Sequence, residues 1–370
     1  MSGDINIVII IELSNSLAFF ITLFEYLRNL NTIIICLLLF NCNEHIYKIY
    51  SNQSFEDICS IAYKNEKAFC IVLVDSTQEL SRRYCLNLKN KGFVDTSKAI
   101  YNIADVNISS NAWYMKWLCP LSLPLTCVFS DTGTLIDLIP GATKETFLYT
   151  TEAISDMKIT NYHYPNRFKI PKYNVIHLLN QVLKCKMDLN QGIYIPTALN
   201  NSIDSLVYPY SVYLGMVGEL MDNDTIETKT LANLMMKLEN PYYLELFKNE
   251  FITAKKVLNP NFKIDDEPNI RVNSEVVSLS DCTVSEDNVF VISIYNDGKY
   301  PLKVSRIFTS CSCLNLLDHT DEFVVSPNDS AMVSFNFKSE ESGEVIRDVF
   351  ITSNAINKPI LYVKILASIY

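Results

Sequence analysis

Two cysteines separated by one residue, Cys311 and Cys313, are the closest pair of thiols in this 370-residue chain. Three chemistries suit such a pair: a structural role, thiol–disulfide exchange, and metal ligation. If both sat on a regular strand, their α-carbons would lie roughly 6.6 Å apart with side chains on one face, at the long edge of disulfide geometry. A stable bridge is therefore not expected unless the strand bends. A metal would need more ligands. His319 and Asp321 are the nearby candidates, and a C-x-C-x5-H pattern alone is a weak zinc signal. The expected role of the pair is structural, with redox chemistry as the alternative.

The other nine cysteines are Cys36, Cys42, Cys59, Cys70, Cys85, Cys119, Cys127, Cys185 and Cys282. No C-x-x-C occurs, which removes the usual dithiol redox motif and the zinc ribbon. Cys70 and Cys127 sit inside apolar runs and read as small buried hydrophobes. Cys119 is a second candidate for a lone reactive thiol, with Lys116 as the nearby cation. His177 reads as a satisfied structural imidazole. No residues are assigned to catalysis, metal or cofactor.

Other chemistries are excluded by composition. Only nine glycines are present, and neither G-x-x-x-x-G-K nor G-x-G-x-x-G occurs, so no phosphate-cradling loop is indicated. Net charge is −10 with Lys and Arg scattered, which gives no basic face for nucleic acid.

The elements that must carry these residues fall into four segments. Residues 1–42 read as an export signal or membrane anchor. Arg28 precedes the apolar run Thr32–Phe40, which is too short to span a bilayer and ends at Asn41-Cys42. Residues 5–24 form a second apolar run and a rival anchor. Residues 43–158 show α/β alternation. Ser54-Phe55-Glu56-Asp57 starts a helix, Phe69–Val74 is a buried strand, and Thr77–Lys91 is a helix. Strands then follow at Leu123–Phe129 and Thr134–Ile139, and a helix at Lys144–Ser155. Residues 159–262 read as a helical spacer: Val175, Leu178, Leu179, Val182 and Leu183 have helical spacing, Pro209 ends or kinks the next helix, Asp224–Glu227 caps a third, and Tyr242–Leu258 is a fourth. Asn259-Pro260-Asn261 and Asp265–Pro268 form a linker. Residues 263–370 alternate short β-rich runs with turns, including Asn296-Asp297-Gly298, and predict an Ig-like sandwich of seven or so strands.

Three resemblances add to this reading. Leu39-Phe40-Asn41-Cys42 resembles the lipobox of bacterial lipoproteins, with Asn41 where a small residue is usual; it implies lipidation at Cys42 and tethering in a Bacteroidetes-type envelope. Residues 50–155 resemble the thioredoxin fold through Pro124, Asp131-Thr132-Gly133 and Gly141. That resemblance implies a cis peptide at Pro124, while Ser76-Thr77-Gln78-Glu79 stands where the family carries its cysteines. The C-terminal segment resembles the bacterial Ig-like "domain of unknown function 1573", akin to Hydin-type domains. The positions are Asn296, Gly298, Pro301-Leu302, Ser310–Cys313, Pro327, Gly343 and Ser353-Asn354. Membership implies an exported module without known catalysis. Together these predict a non-enzymatic, membrane-tethered envelope protein that binds an envelope protein partner, exposed on the periplasmic or surface side. A thiol–disulfide or thiol-sensing protein using Cys311/Cys313 or Cys119 is the alternative.

Overall fold

The computed structural model describes residues 49–89, 94–195, 207–317 and 322–370. Residues 50–370 form one compact unit.

The first layer is a mixed five-stranded sheet of order β1-β3-β2-β4-β5. Its strands are β1 (Ile49–Ser51), β2 (Ala68–Val74), β3 (Ala99–Asp105), β4 (Leu125–Phe129) and β5 (Leu135–Pro140). β2 runs parallel to β3 and antiparallel to β4, and β4 is antiparallel to β5. Every residue of β2 is buried, as its unbroken apolar run requires of a strand covered on both faces. On one face Phe69 stacks against Phe129 at 4.7 Å, under α1 (Phe55–Asn65). On the other, the Tyr84 hydroxyl of α2 (Glu79–Lys89) lies 2.9 Å from the Thr126 hydroxyl, and its ring is 5.1 Å from Phe147 of α4 (Lys144–Asp156). α1 begins as its sequence demands: the Ser54 side chain accepts from the Asp57 amide. A short helix, α3 (Ala112–Leu118), leads into β4.

The helices that follow are α5 (Lys172–Asn190), α6 (Pro209–Met221), α7 (Thr225–Lys237), α8 (Pro241–Leu246) and α9 (Lys248–Leu258). They share one hydrophobic core with the sheet, which runs from Phe55 through Trp117 and Leu179 to Phe251. The segment is thus a second layer on the sheet rather than a spacer with its own core. Trp117 Nε1 donates to the Leu179 carbonyl at 2.9 Å, the Tyr208 hydroxyl donates to the Trp117 carbonyl at 2.9 Å, and Asn180 makes a two-way amide pair with the Leu135 backbone at 2.8 Å. Lys116 on α3 pairs with the buried Glu250 on α9 at 2.6 Å. Two helical expectations are corrected. Pro209 does not kink a helix; it is the first residue of α6, where its missing N–H costs nothing. The stretch Tyr242–Leu258 is two helices, broken at Phe247, whose φ of −115° lies outside helical values.

The C-terminal part has a separate core and is a two-sheet, Ig-like sandwich with nine strands among the described residues. They are β6 (Ile270–Val272), β7 (Val276–Cys282), β8 (Asn288–Asn296), β9 (Leu302–Thr309), β10 (Leu314–Leu316), β11 (Phe323–Val325), β12 (Ser330–Phe337), β13 (Gly343–Ser353) and β14 (Ile360–Ile369). One sheet has the order β10-β12-β8-β6 and the other β11-β9-β13-β14-β7. Among the described residues every strand pairing of the two sheets is antiparallel except that of β14 with β7. Inward positions of β8 recur every second residue at Phe290, Ile292, Ile294 and Asn296. Ile356, between β13 and β14, reaches into the core of the sheet and helices.

Candidate functional site

Strand β9 lies in one sheet while β8 and β10, its neighbours in sequence, lie in the other, so the chain turns a corner between sheets at each end of β9. At its start the chain crosses from β8 through Asn296-Asp297-Gly298. Asn296 is fully buried in the apolar row of β8, and a polar side chain there must be satisfied. Its Nδ2 donates to the carbonyls of Tyr300 (2.9 Å) and Val325 (3.1 Å), while its Oδ1 accepts from the amides of Gly298 (3.0 Å) and Asn269 (3.4 Å). Gly298 is required by close approach: a Cβ there would lie 2.1 Å from the Glu267 carbonyl oxygen.

At the far end, Ser310–Cys313 turns from β9 to β10, and here the strand expectation for the cysteines is corrected. Cys311 and Cys313 are joined by a disulfide with their α-carbons 5.3 Å apart, closer than strand spacing allows, because Cys311–Cys313 is a turn and not a strand. Backbone and side-chain bonds fix that turn. The Ser310 amide donates to the Asp348 carbonyl, the Asp348 amide donates to the Ser310 hydroxyl, and the Lys338 amide donates to the Cys313 carbonyl, each at 2.9 Å. The Thr309 hydroxyl faces the carbonyls of Cys311 (3.0 Å) and Leu314 (2.9 Å). Both sulfur-bearing residues are half-buried and the intervening Ser312 is exposed. Arg347 of β13 donates from Nε to Cys313 Sγ at 3.3 Å, and its Nη1 is held by the Ile346 carbonyl at 2.8 Å. His319 and Asp321 lie outside the described residues, as does Cys42. Among the described residues no group of three or more His, Cys, Asp or Glu is placed to hold a metal.

The α/β layer brings its own candidates together differently. The Leu123–Pro124 peptide is cis, and the Pro124 carbonyl accepts from the Gly141 amide at 2.9 Å. At the N-terminus of α2 there is no thiol. Asp75 Oδ1 accepts from the amide and hydroxyl of Thr77 (2.9 and 2.6 Å) and from Asn107 (2.8 Å), and its Oδ2 accepts from Gln78 (2.9 Å). Slight burial would raise the Asp75 pKa, but these bonds outweigh it and hold the carboxylate below its ordinary value. A fixed anion thus lies next to Ser76–Glu79, the segment where the thioredoxin resemblance would put cysteines, and an anion there disfavours a thiolate. Cys119, offered by the sequence as a lone thiol, is 1% exposed and caps α3 in a left-handed conformation. Burial pushes its thiol up to about 12, with Arg167 offsetting only part of that rise, which disfavours the thiolate. His177 sits 3.2 Å from Gln181 on the exposed side of α5.

A surface missed by sequence reading lies on the outer face of the β9–β13–β14 sheet. Phe350 is in register with Phe308 on one side and Tyr362 on the other. The two phenylalanine rings stack at 4.7 Å, Tyr362 meets Phe350 edge-on at 5.3 Å, and the Arg306 guanidinium lies 5.3 Å from the Phe308 ring. Tyr362 is 55% exposed and Phe308 38%. The signal was present as β-rich alternation, but only the register shows that the three rings form one row.

Residues 268–367 match the model of the HYDIN/CFA65/VesB-like Ig-like domain family, which agrees with the sandwich. No curated protein matches the chain. Among solved structures, a protein of unknown function from Porphyromonas gingivalis W83 is 18% identical, with 30% of this chain and 50% of that chain covered at a TM-score of 0.25. The ASH/PapD-like domain of human CEP192 is 8% identical, with 30% and 89% covered and the same TM-score. The secreted serine protease VesC from Vibrio cholerae is 10% identical, with 28% and 23% covered at a TM-score of 0.23. The chain therefore spans half the length of the Porphyromonas protein.

Proposed function

We propose that this chain is a non-enzymatic envelope protein that binds a protein partner through its Ig-like sandwich and its helical layer, tethered through a lipid on Cys42 or an N-terminal anchor. The observation that carries the binding reading is the exposed row Arg306–Phe308–Phe350–Tyr362. Aromatic residues and arginine on a rigid sheet face supply large contact area at little entropic cost, which is the composition of binding hot spots. The match of residues 268–367 to an Ig-like family supports the same reading. The α/β layer is best understood as a thioredoxin-like scaffold. Its strand order and the cis peptide at Pro124 support that assignment. The carboxylate of Asp75, in the turn before α2, and the buried Cys119 support reading it as a scaffold without thiol chemistry. Within the C-terminal part, the positions from Asn296 to Asn354 support the finer assignment to the domain-of-unknown-function family named above.

Cross-linked capture from the native envelope tests the binding reading, with the tethered full chain compared to its Phe308→Ser/Phe350→Ser variant. One partner captured by the native protein and lost, by about ten-fold or more, from the variant is expected. Equal capture by both refutes the assignment of this face. Tethering is tested separately by fatty-acid incorporation, and label retained after Cys42→Ala refutes lipidation at that residue.

A further inference from the structure

We propose that the Cys311–Cys313 disulfide is an exchangeable oxidant for a dithiol protein, with Cys311 as the sulfur attacked and Cys313 as the leaving thiolate held by Arg347. This stands apart from the binding reading and uses a different part of the sandwich. Four observations support it. The disulfide is the one found among the described residues, and every other described cysteine is free and half-buried or buried. The bridge sits in a turn at the edge of the sandwich, with both cysteines half-buried against its core and Ser312 between them exposed. Its two sulfurs are not equivalent: the Arg347 guanidinium donates to Cys313 Sγ. Finally, Arg347 takes part in no salt bridge among the described residues, and its Nη1 is anchored on a backbone carbonyl, so its charge stays at the sulfur.

The polarity of the reaction follows from that contact. In thiol–disulfide exchange the sulfur that leaves as the more stable thiolate is expelled faster, and a neighbouring guanidinium stabilises a thiolate. A partner thiolate therefore attacks Cys311 Sγ, a new partner–Cys311 bond forms, the Cys311–Cys313 bond breaks, and its electron pair goes to Cys313 Sγ opposite Arg347. The partner's second thiolate then attacks its own sulfur in the mixed disulfide and expels Cys311. The partner dithiol is oxidised by two electrons to a disulfide, and the Cys311–Cys313 bridge is reduced by the same two. No metal or other cofactor enters.

The test uses the folded full chain with reduced glutathione as the probe, iodoacetamide as the quench, and peptide mass spectrometry as the readout. Glutathione on Cys311 with carbamidomethyl on Cys313 is expected, in several-fold excess over the opposite arrangement. Arg347→Gln is expected to slow adduct formation by about 3- to 10-fold, with Arg347→Lys recovering part of the rate, because a cation at the leaving sulfur is what matters. Circular dichroism of each variant establishes that it is folded. If Arg347→Gln does not fold, the site of the adduct on the native chain still decides the polarity. A bridge reduced only in parallel with global unfolding in urea overturns the proposal and makes the disulfide a corner clamp. Adducts falling equally on both sulfurs, or a rate indifferent to Arg347, overturn it as well.

Discussion

Replacing Asn296 with alanine should cost the C-terminal sandwich much more than the loss of one small polar side chain. The native amide makes four hydrogen bonds inside the fold, to two carbonyls and from two amides. Alanine leaves all four backbone groups without their partner, and an unsatisfied buried polar group costs about 1–3 kcal/mol. Asn269 and Tyr300 lie nearest the surface and regain water, which reduces the sum to about 3–5 kcal/mol, a large share of the ~5–15 kcal/mol that holds a domain together. For a sandwich of this size that is a fall in Tm of about 15–30 °C. Tryptophan fluorescence would miss it, because both tryptophans, Trp113 and Trp117, lie on α3 in the other core. Urea unfolding followed by hydrogen exchange resolves it, with the Gly298 and Asn269 amides as reporters. Asn296→Asp is the sharper probe: it keeps the acceptor, but sets a carboxylate oxygen against the Tyr300 and Val325 carbonyls. It should destabilise about as much as alanine. A loss under about 1 kcal/mol in both variants, with Gly298 protection unchanged, would refute the claim that this side chain locks the corner.

Other consequences follow from contacts elsewhere. Gly218→Ala places a Cβ 2.0 Å from the Tyr194 ring, whose hydroxyl donates to Glu219 at 2.6 Å. It should destabilise by about 1–3 kcal/mol in thermal melts, and far less on a Tyr194→Ala background, since the two sites share one clash. Lys116→Met strands the buried Glu250, whose second carboxylate oxygen has no hydrogen-bond partner among the described residues, and should cost about 3–5 kcal/mol; Lys116→Met/Glu250→Leu should recover most of it. Burial raises the Glu239 pKa, Lys255 pulls it back and Glu267 adds to the rise. Its folded pKa lies above its unfolded one, so its contribution to stability is full below the unfolded pKa and is lost as pH rises through the folded pKa. Glu239→Gln should flatten that loss in melts taken from pH 4 to 8.

Much of this architecture was legible because local chemistry and tertiary burial agreed. Ser54 and Asp224 cap helices that begin where their side chains predict, and Phe69–Val74 is the fully buried strand its run of apolar residues implied. The misses have identifiable causes. β3 escaped notice because Asn102 interrupts its apolar pattern. That side chain is buried and pairs with the Gln53 backbone at 3.1 and 3.2 Å, a partner 49 residues away that no local window contains. The helices of residues 172–258 looked like a spacer because the apolar faces that bind them to the sheet carry no mark of what they cover. Arg347 was invisible for a similar reason. It lies 34 residues from Cys313, and strand pairing alone brings it to the sulfur.

The two ends of β9 solve one problem by different chemistry, and the difference bears on what each can do. Where the chain passes from one sheet to the other at each end of β9, no ladder continues through the corner, so the turns must be fixed by side chains. At Asn296 the fixing bonds are buried, reciprocal and saturated; nothing can be exchanged there without losing the corner. At Cys311–Cys313 the backbone turn is already held by Ser310, Thr309, Asp348 and Lys338 through hydrogen bonds that do not involve sulfur. The disulfide therefore adds a covalent link to a turn that does not depend on it alone. The proposed exchange requires that this redundancy keep the turn's shape once the S–S bond opens, as a reversible thiol site on a rigid scaffold must.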